Sequence, residues 1–268
     1  MDYRKDSLSL NDNLMQLIEV AYTLRDYEAS RITIIVPYFP YSRQDGPSFM
    51  EREPVIAQMV AGILEKITKV DSVYTYHPHS TKVKGFFGLE THFRFISGVD
   101  LFLDIFSEYN NNPETVAVST DGGGSKLTKY FAKNVNLSYC TGLKDRSEQN
   151  KVEMEGFKGE LKGKKRAIVI EDESATFRSC LGRIKQIHEE GIEEILLGVS
   201  HMRTDCTNKE YIDRMIEAHE KYGLKELHTT DSVPQSEEFT KLPFVKIHNL
   251  AKRWAFVINR IHYDISVS

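Results

Sequence analysis

The chain has few of the features that mark specialised protein classes. Three cysteines in 268 residues, Cys140, Cys180 and Cys206, form no C-x-x-C unit. That spacing supports neither a disulfide framework nor a thiolate zinc site, and predicts idle or buried thiols. Lys and Arg number 35 against 39 Asp and Glu, a formal net charge of −4. Without a basic field there is nothing to hold a polyphosphate backbone, so nucleic acid is not the expected partner. No apolar run reaches the ~18 residues needed to span a bilayer. The start, MDYRKDSLSLND, has no apolar segment of secretory length, and the expectation is a cytoplasmic protein away from membranes. Proline is scarce, with 8 residues, while 40% of the chain is hydrophobic and 28% charged, which excludes a mainly disordered chain.

What is present is an alternation. Short β-branched runs recur at 31–37 (RITIIVP), 70–76 (VDSVYTY), 115–119 (TVAVS), 166–170 (RAIVI), 194–199 (EILLGV) and 225–229 (KELHT). Between them, apolar residues recur at helical spacing: Leu14, Leu17, Ile18, Ala21 and Leu24; Ile56, Met59, Val60, Ile63 and Leu64; Leu181, Ile184 and Ile187. Alternating strands and helices predict an α/β fold of parallel sheets covered by helices. The series divides near Gly98, predicting a first domain over 1–97 and a second over 98–249. The amphipathic segment from Leu250 to Ile261 would return, with the rest of 250–268, to complete the first.

In such folds ligands sit beyond the carboxyl ends of strands, so the residues after each strand carry the functional information. After RAIVI come Glu171, Asp172 and Glu173, then Ser174, Ala175, Thr176, Phe177, Arg178 and Ser179. Paired carboxylates can hold sugar hydroxyls or a hydrated cation, and a helix N-terminus with hydroxyl donors can receive a phosphate. The plainer use is a helix start with Ser174 or Thr176 as N-cap. After TVAVS, Asp121 precedes three glycines, Gly122 to Gly124, that allow close backbone approach to a ligand or simply a flexible turn. The loop matches neither the Walker A pattern nor the dinucleotide fingerprint. After VDSVYTY, His77 and His79 stand at strand spacing and would face one side, as a weak metal pair or as surface histidines. After RITIIVP, Tyr38, Phe39 and Tyr41 could flank a purine, with Arg43 and Gln44 reading phosphate and base edges, or the segment could be a packed loop with an exposed polar end.

Taken in order, these motifs resemble the ribose-phosphate diphosphokinases, the phosphoribosyl pyrophosphate (PRPP) synthetases. The likeness runs from Asn11-Asp12-Asn13-Leu14-Met15 through RITIIVPYFPYSRQD, His79 with Gly85-Phe86-Phe87, Ser119-Thr120-Asp121-Gly122-Gly123 and the acidic run at Glu171. It continues at Thr229-Thr230-Asp231-Ser232-Val233-Pro234, Arg260-Ile261-His262 and Ser266-Val267-Ser268. It implies two type I phosphoribosyltransferase-like domains, the first truncated because the family's opening strands are missing from the pattern here. The implied reaction moves the β,γ-diphosphoryl group of ATP to the anomeric hydroxyl of ribose 5-phosphate, giving PRPP and AMP for nucleotide synthesis. By resemblance Arg43, Gln44 and His79 would contact ATP, and His79 with Asp121 would organise Mg²⁺. Lys144 and Arg146 fall where the family's catalytic loop presents two cations to the transferring group, with His79 also in the catalytic set. Glu171 and Asp172 would hold the ribose hydroxyls, and Ala175, Thr176, Phe177, Arg178 and Ser179 the 5-phosphate.

The family has small residues where Phe177 and Arg178 stand. Their bulk predicts a loop less open to phosphate, with Arg178 able to supply charge instead. Gly46-Pro47-Ser48 replaces a stretch that the family fills with basic residues and an acid. The resemblance also implies a homo- or hetero-oligomer of PRPP-synthetase-like subunits. The alternative function is a non-catalytic subunit associated with active homologues.

Overall fold

A computed structural model describes residues 9–47, 52–120, 122–148, 151–159, 161–203 and 208–267; for 144–148 and 151–155 it describes the backbone alone. By backbone contact the chain divides into two units, Met1–Glu108 and Tyr109–Ser268, and the last helix is counted with the second.

The first unit opens with α1, Leu10–Asp26, started by a capping box in which the Ser9 side chain accepts from Asp12 N and Asp12 accepts from Ser9 N. Then follow β1 (Thr33–Val36), α2 (Ile56–Gly62) with a π-helical turn over Ile63–Ile67, and β2 (Ser72–Tyr76). A 3₁₀ turn over Thr81–Phe86, β3 (His92–Ile96) and α3 (Val99–Ile105) complete it. The strands form a parallel sheet in the order β1-β2-β3. Its core gathers Ala21 of α1, Ala57, Val60 and Ala61 of α2, Val73 of β2 and Phe93 of β3. β3 buries only Phe93 fully, so its charged and aromatic residues read as a loop in the sequence.

The second unit holds β4 (Thr115–Ser119), α4 (Ser125–Val135), β5 (Ser138–Glu148), β6 (Lys151–Lys158), β7 (Arg166–Ser174) and α5 (Arg178–Glu189). It ends with β8 (Glu194–Met202), α6 (Lys209–Lys221), β9 (Leu224–Thr230), α7 (Glu237–Thr240), β10 (Val245–His248) and α8 (Ala251–His262). Seven strands run in the order β10-β9-β8-β7-β4-β5-β6, all pairs parallel except β5 with β6. Strands buried on both faces show continuous apolar runs, and β4 is buried at every position. Helices α4, α5 and α6 bury Phe131, Ile184 and Met215, one stripe each, against this sheet.

All six expected strands exist, but β7 and β8 run beyond their sequence limits, to Ser174 and Met202. Glu173 pairs in register with His201, so much of the acidic run is strand and not loop. Strands β5 and β6 have no apolar alternation in the sequence. Cys140 and Cys180 are buried thiols in no disulfide, while Cys206 lies outside the described residues. Among the described residues no helix is long and apolar enough to cross a membrane.

Candidate functional site

In the first unit two expected loops meet at the carboxyl ends of β1 and β2. Tyr41 adopts a left-handed φ of 61° and its carbonyl accepts from Gln44 N at 2.8 Å, folding the loop back on itself. The Gln44 carbonyl then accepts from Ala57 N in the first turn of α2 at 3.2 Å. Arg43 and Gln44 are left with exposed side chains. Asp45 joins this loop to the next: its carboxylate lies 3.2 Å from Lys82 Nζ. Partial burial pushes the Asp45 carboxyl up, but hydrogen bonds from Ser80 and Lys82 and the charges of Lys82 and His79 outweigh it and hold the group below its ordinary value. Asp45 therefore carries negative charge beside the exposed His79.

Two expectations change here. Phe39 does not face a ligand: it is buried and packs edge-on against Phe87 and Phe93, with centroids 6.3 and 5.6 Å away. His77 and His79 do not share a strand face. β2 ends at Tyr76, and His77 turns away with φ 37°, its N–H donating to Ile96 O at 2.8 Å. The strand-spacing argument fails because the strand ends at Tyr76, before either histidine.

In the second unit the chain runs from β4 outward to β5 and β6, then returns to β7 on the other side of β4 and continues outward to β10. The gap between β4 and β7 is thus a switch point, where an open α/β sheet forms its ligand crevice. The glycine-rich run leaves the sheet there while the acidic run continues in β7: Val118 pairs with Val169, so the residues after Ser119 and after Ile170 sit side by side. At the β4 end, Ser125 Oγ donates to Gly122 O at 2.8 Å, and α4 starts without a side-chain cap. Gly122 has open space where a Cβ would be. Asp121 itself lies outside the described residues.

At the β7 end, Glu171 and Asp172 are half-buried. As neighbours in an extended strand they point to opposite faces. Glu173 has a buried side chain bonded to Arg203 Nη1 at 3.1 Å, so this third acid is a structural pair with β8's extension. Ser174 does not cap the following helix, and Thr176 Oγ1 accepts only from Arg178 N, at 3.5 Å. Ser174 Oγ accepts from Cys180 Sγ at 3.7 Å, and the N-cap is Phe177 in the left-handed region, φ 57°, with no capping side chain. The bulk at Phe177 is therefore turned away from the loop's open side: its ring is 1% exposed and lies in the core with Cys180 and Ile184. Arg178 and Ser179 are exposed at the uncapped first turn, whose N–H groups lack intrahelical acceptors. Arg214 of α6 donates to Thr176 O at 2.8 Å and fixes the loop from outside. Arg203 and Arg214 were invisible to motif reading, since their partners are 30 and 38 positions away.

On the other flank of β4, Ser119 pairs with Thr141, and β5 continues past that point to Glu148 before β6 returns. Lys144-Asp145-Arg146 thus lies in a strand of a hairpin that projects beyond the carboxyl edge, where a loop was expected. At the β9 end, Asp231 accepts from Leu250 N at 2.9 Å and Asn249 Nδ2 at 2.6 Å, holding the start of α8. His201 Nδ1 lies 2.7 Å from Ser232 Oγ, tying β8 to the same turn.

Known proteins share this arrangement. The N-terminal domain of ribose phosphate pyrophosphokinase matches residues 5–67. A ribose-phosphate pyrophosphokinase of Fusobacterium nucleatum is 31% identical over 260 residues, 97% of this chain and 78% of that protein. Ribose-phosphate pyrophosphokinase A of Dictyostelium discoideum is 27% identical over 260 residues, again 97% and 78% of the two chains. The crystal structure of phosphoribosylpyrophosphate synthetase from Mycobacterium smegmatis superposes with a TM-score of 0.81 at 23% identity, covering 95% of this chain and 79% of that one. At that identity the likeness establishes the fold.

Proposed function

The chain belongs to the ribose-phosphate pyrophosphokinase family, and from that we propose that it moves the diphosphoryl group of ATP to ribose 5-phosphate, forming PRPP and AMP. The observation that carries this reading is relatedness along 97% of the chain to enzymes of that name. The relatives above give no support to a non-catalytic subunit.

In this reaction the anomeric oxygen attacks the β-phosphorus, the bond from that phosphorus to the α-phosphate's bridging oxygen breaks, and AMP departs. Little covalent chemistry falls to the protein, whose task is to orient reactants and offset charge. Arg43 and Gln44 would contact ATP from their exposed positions, steadied by the backbone bonds around them. Of Glu171 and Asp172, which stand on opposite faces of β7, the one facing the crevice would receive ribose hydroxyls. Ala175, Thr176, Phe177, Arg178 and Ser179 would hold the 5-phosphate at the uncapped start of α5, with the Arg178 cation in place of a small residue's open backbone. Lys144 and Arg146 would approach the transferring group on the hairpin and offset charge building on its oxygens.

The resemblance implies a magnesium ion borne mainly by phosphate oxygens, since Mg²⁺ keeps waters and takes only one or two protein ligands in such sites. His79, poised beside the ionised Asp45, and Asp121 would hold it. When bound, the ion would neutralise phosphate charge. A cytoplasmic setting and assembly with further PRPP-synthetase-like subunits complete the proposal.

The test is AMP and PRPP formation by the purified chain with Mg²⁺, ATP and ribose 5-phosphate, using Lys144→Ala as control. Activity in the parent and a loss of about 10²–10³-fold in kcat in the variant, the scale of one lost transition-state donor, is expected. A folded parent that forms neither product overturns the assignment, and an equally active Lys144→Ala overturns the role of that lysine.

A further inference from the structure

Arg183 of α5 is a fully buried cation at the root of the hairpin that carries Lys144 and Arg146. Its Nη2 donates to Leu143 O at 3.0 Å, the carbonyl immediately before Lys144. Its Nη1 donates to Gly156 O at 3.2 Å on the returning strand and to Gln186 Oε1 at 2.8 Å on its own helix. The guanidinium also lies over the Phe157 ring, 4.9 Å from its centroid. One planar group therefore holds both strands of the hairpin and the helix beneath them, which the fork geometry of arginine permits and a lysine does not.

The backbone at this place is irregular. Gly142 pairs with Phe157 but Leu143 pairs with Glu155, so β6 carries one extra residue, Gly156. Gly156 has φ 39°, a conformation other residues rarely adopt. Such a bulge interrupts the ladder, leaves carbonyls to be satisfied elsewhere and bends the strand. The carbonyls of Leu143 and of the extra residue Gly156 are those Arg183 takes. Gly142 completes the arrangement: a Cβ there would lie 2.3 Å from Arg183 Cζ and 2.5 Å from Nη2, so the close approach of guanidinium to strand requires glycine.

We propose that Arg183 is a positioning residue for the diphosphoryl transfer. It clamps the bulged root of the β5–β6 hairpin to α5, whose first turn follows the loop assigned to the 5-phosphate, and so sets the direction in which Lys144 and Arg146 leave the sheet. This rests on the proposed function for its catalytic consequence, but the clamp itself is a property of the folded chain. Misplacing a catalytic group by about 1 Å is enough to cost about 10²-fold in rate.

The experiment compares the parent chain with Arg183→Met, which keeps an apolar stem but removes the guanidinium, and Arg183→Lys. Amide hydrogen exchange is read at 141–143 and 156–158 and, as an internal control, at 184–187 within α5. kcat and KM are read for PRPP formation. The expected result is at least about tenfold faster exchange at the hairpin root with α5 unchanged, and kcat lower by about 10–100-fold with KM for ribose 5-phosphate within about twofold. Arg183→Lys should recover little of either, because one ammonium cannot serve both carbonyls and the ring. A root that is unprotected in the parent, or root exchange and kcat unchanged in Arg183→Met, overturns the proposal. If the parent makes no PRPP, the functional reading fails while exchange still decides the clamp. Should Arg183→Met not fold, Gly142→Ala, which displaces the guanidinium from the strand side, must give the same root-specific loss, and its absence is equally decisive against the clamp.

Discussion

The two units hold candidate functional loops at the carboxyl ends of parallel strands, yet they hold them by different means. In the first, a sheet of three described strands carries exposed Arg43, Gln44 and His79 on loops joined by one partly buried carboxylate, Asp45. In the second, β7 and β8 extend into the site, Glu173 is buried against Arg203, Phe177 is sunk in the core and Arg183 grips the hairpin from below. Each group of loops has one buried aromatic anchor, but enclosed polar bonds complete the geometry of one and surface polar links that of the other. Enclosed links are more costly to remove, because the partner left behind is buried without water.

The comparison is broken most severely at its two aromatic anchors. Phe39 and Phe177 are each 1% exposed, and truncating either to alanine should cost about 3–5 kcal/mol. The smaller core of the first unit leaves less in reserve. Phe39→Ala should accordingly expose the whole of 9–96 to rapid hydrogen exchange, whereas Phe177→Ala should lower the denaturant midpoint of the second unit and leave β4 and β8 protected. Equal local losses in both would show that core size does not govern the difference.

Removing the surface link is a milder intervention. Asp45→Asn keeps the shape but discards the charge that attracts Lys82 and His79, and KM for ATP should rise about fivefold, equivalent to about 1 kcal/mol. The ribose 5-phosphate KM should not move; a parallel rise there would mean that the two groups of loops are not held separately. Acid gives the same contrast. The Asp45 carboxyl sits below its ordinary value, so its contribution is present above about pH 4 and is lost as pH falls through the lowered folded value.

The smallest effect concerns the far edge of the larger sheet, where His228 on β9 and His248 on β10 stack with Nδ1 and Nε2 2.9 Å apart. Burial pushes both imidazoles below their ordinary value. Glu226 pulls His228 partly back, Lys246 lowers it further, and His228 itself lowers His248. The folded chain then binds fewer protons than the unfolded one, so stability is full above about pH 6.5 and declines below it. A urea midpoint for the second unit that falls modestly between pH 7.5 and pH 5.5, with the decline reduced in His248→Gln, is expected. A flat profile would remove the pair from the account.

Much of this was legible in the residues. Buried parallel strands such as β4 are continuous apolar runs, and those announced themselves. β3, with one fully buried residue, and the β5–β6 hairpin, whose residues show no apolar alternation, did not. The exposed polar end of the loop after β1, at Arg43 and Gln44, was also legible, whereas the acidic run at Glu171, expected in a loop, lies in β7. Cations that act from another element were not legible. Arg183, Arg203 and Arg214 look in sequence like ordinary charges on helices and loop ends, because nothing local marks a partner 30 or 40 positions away.

The order of strands and helices, the placing of acids, glycines and hydroxyls after strands, and the kinship those motifs carry were determined by the sequence alone, because periodicity and turn chemistry are local. Tertiary structure decided which chemistry is available. It put the glycine-rich and acidic runs together by making β4 and β7 neighbours, and it turned the Phe39 and Phe177 rings inward. It also converted Gly142, Gly156 and Arg183 into one joint. Those outcomes depend on strand order, register and packing between distant segments, and burial free energy selects among them only when the whole core closes.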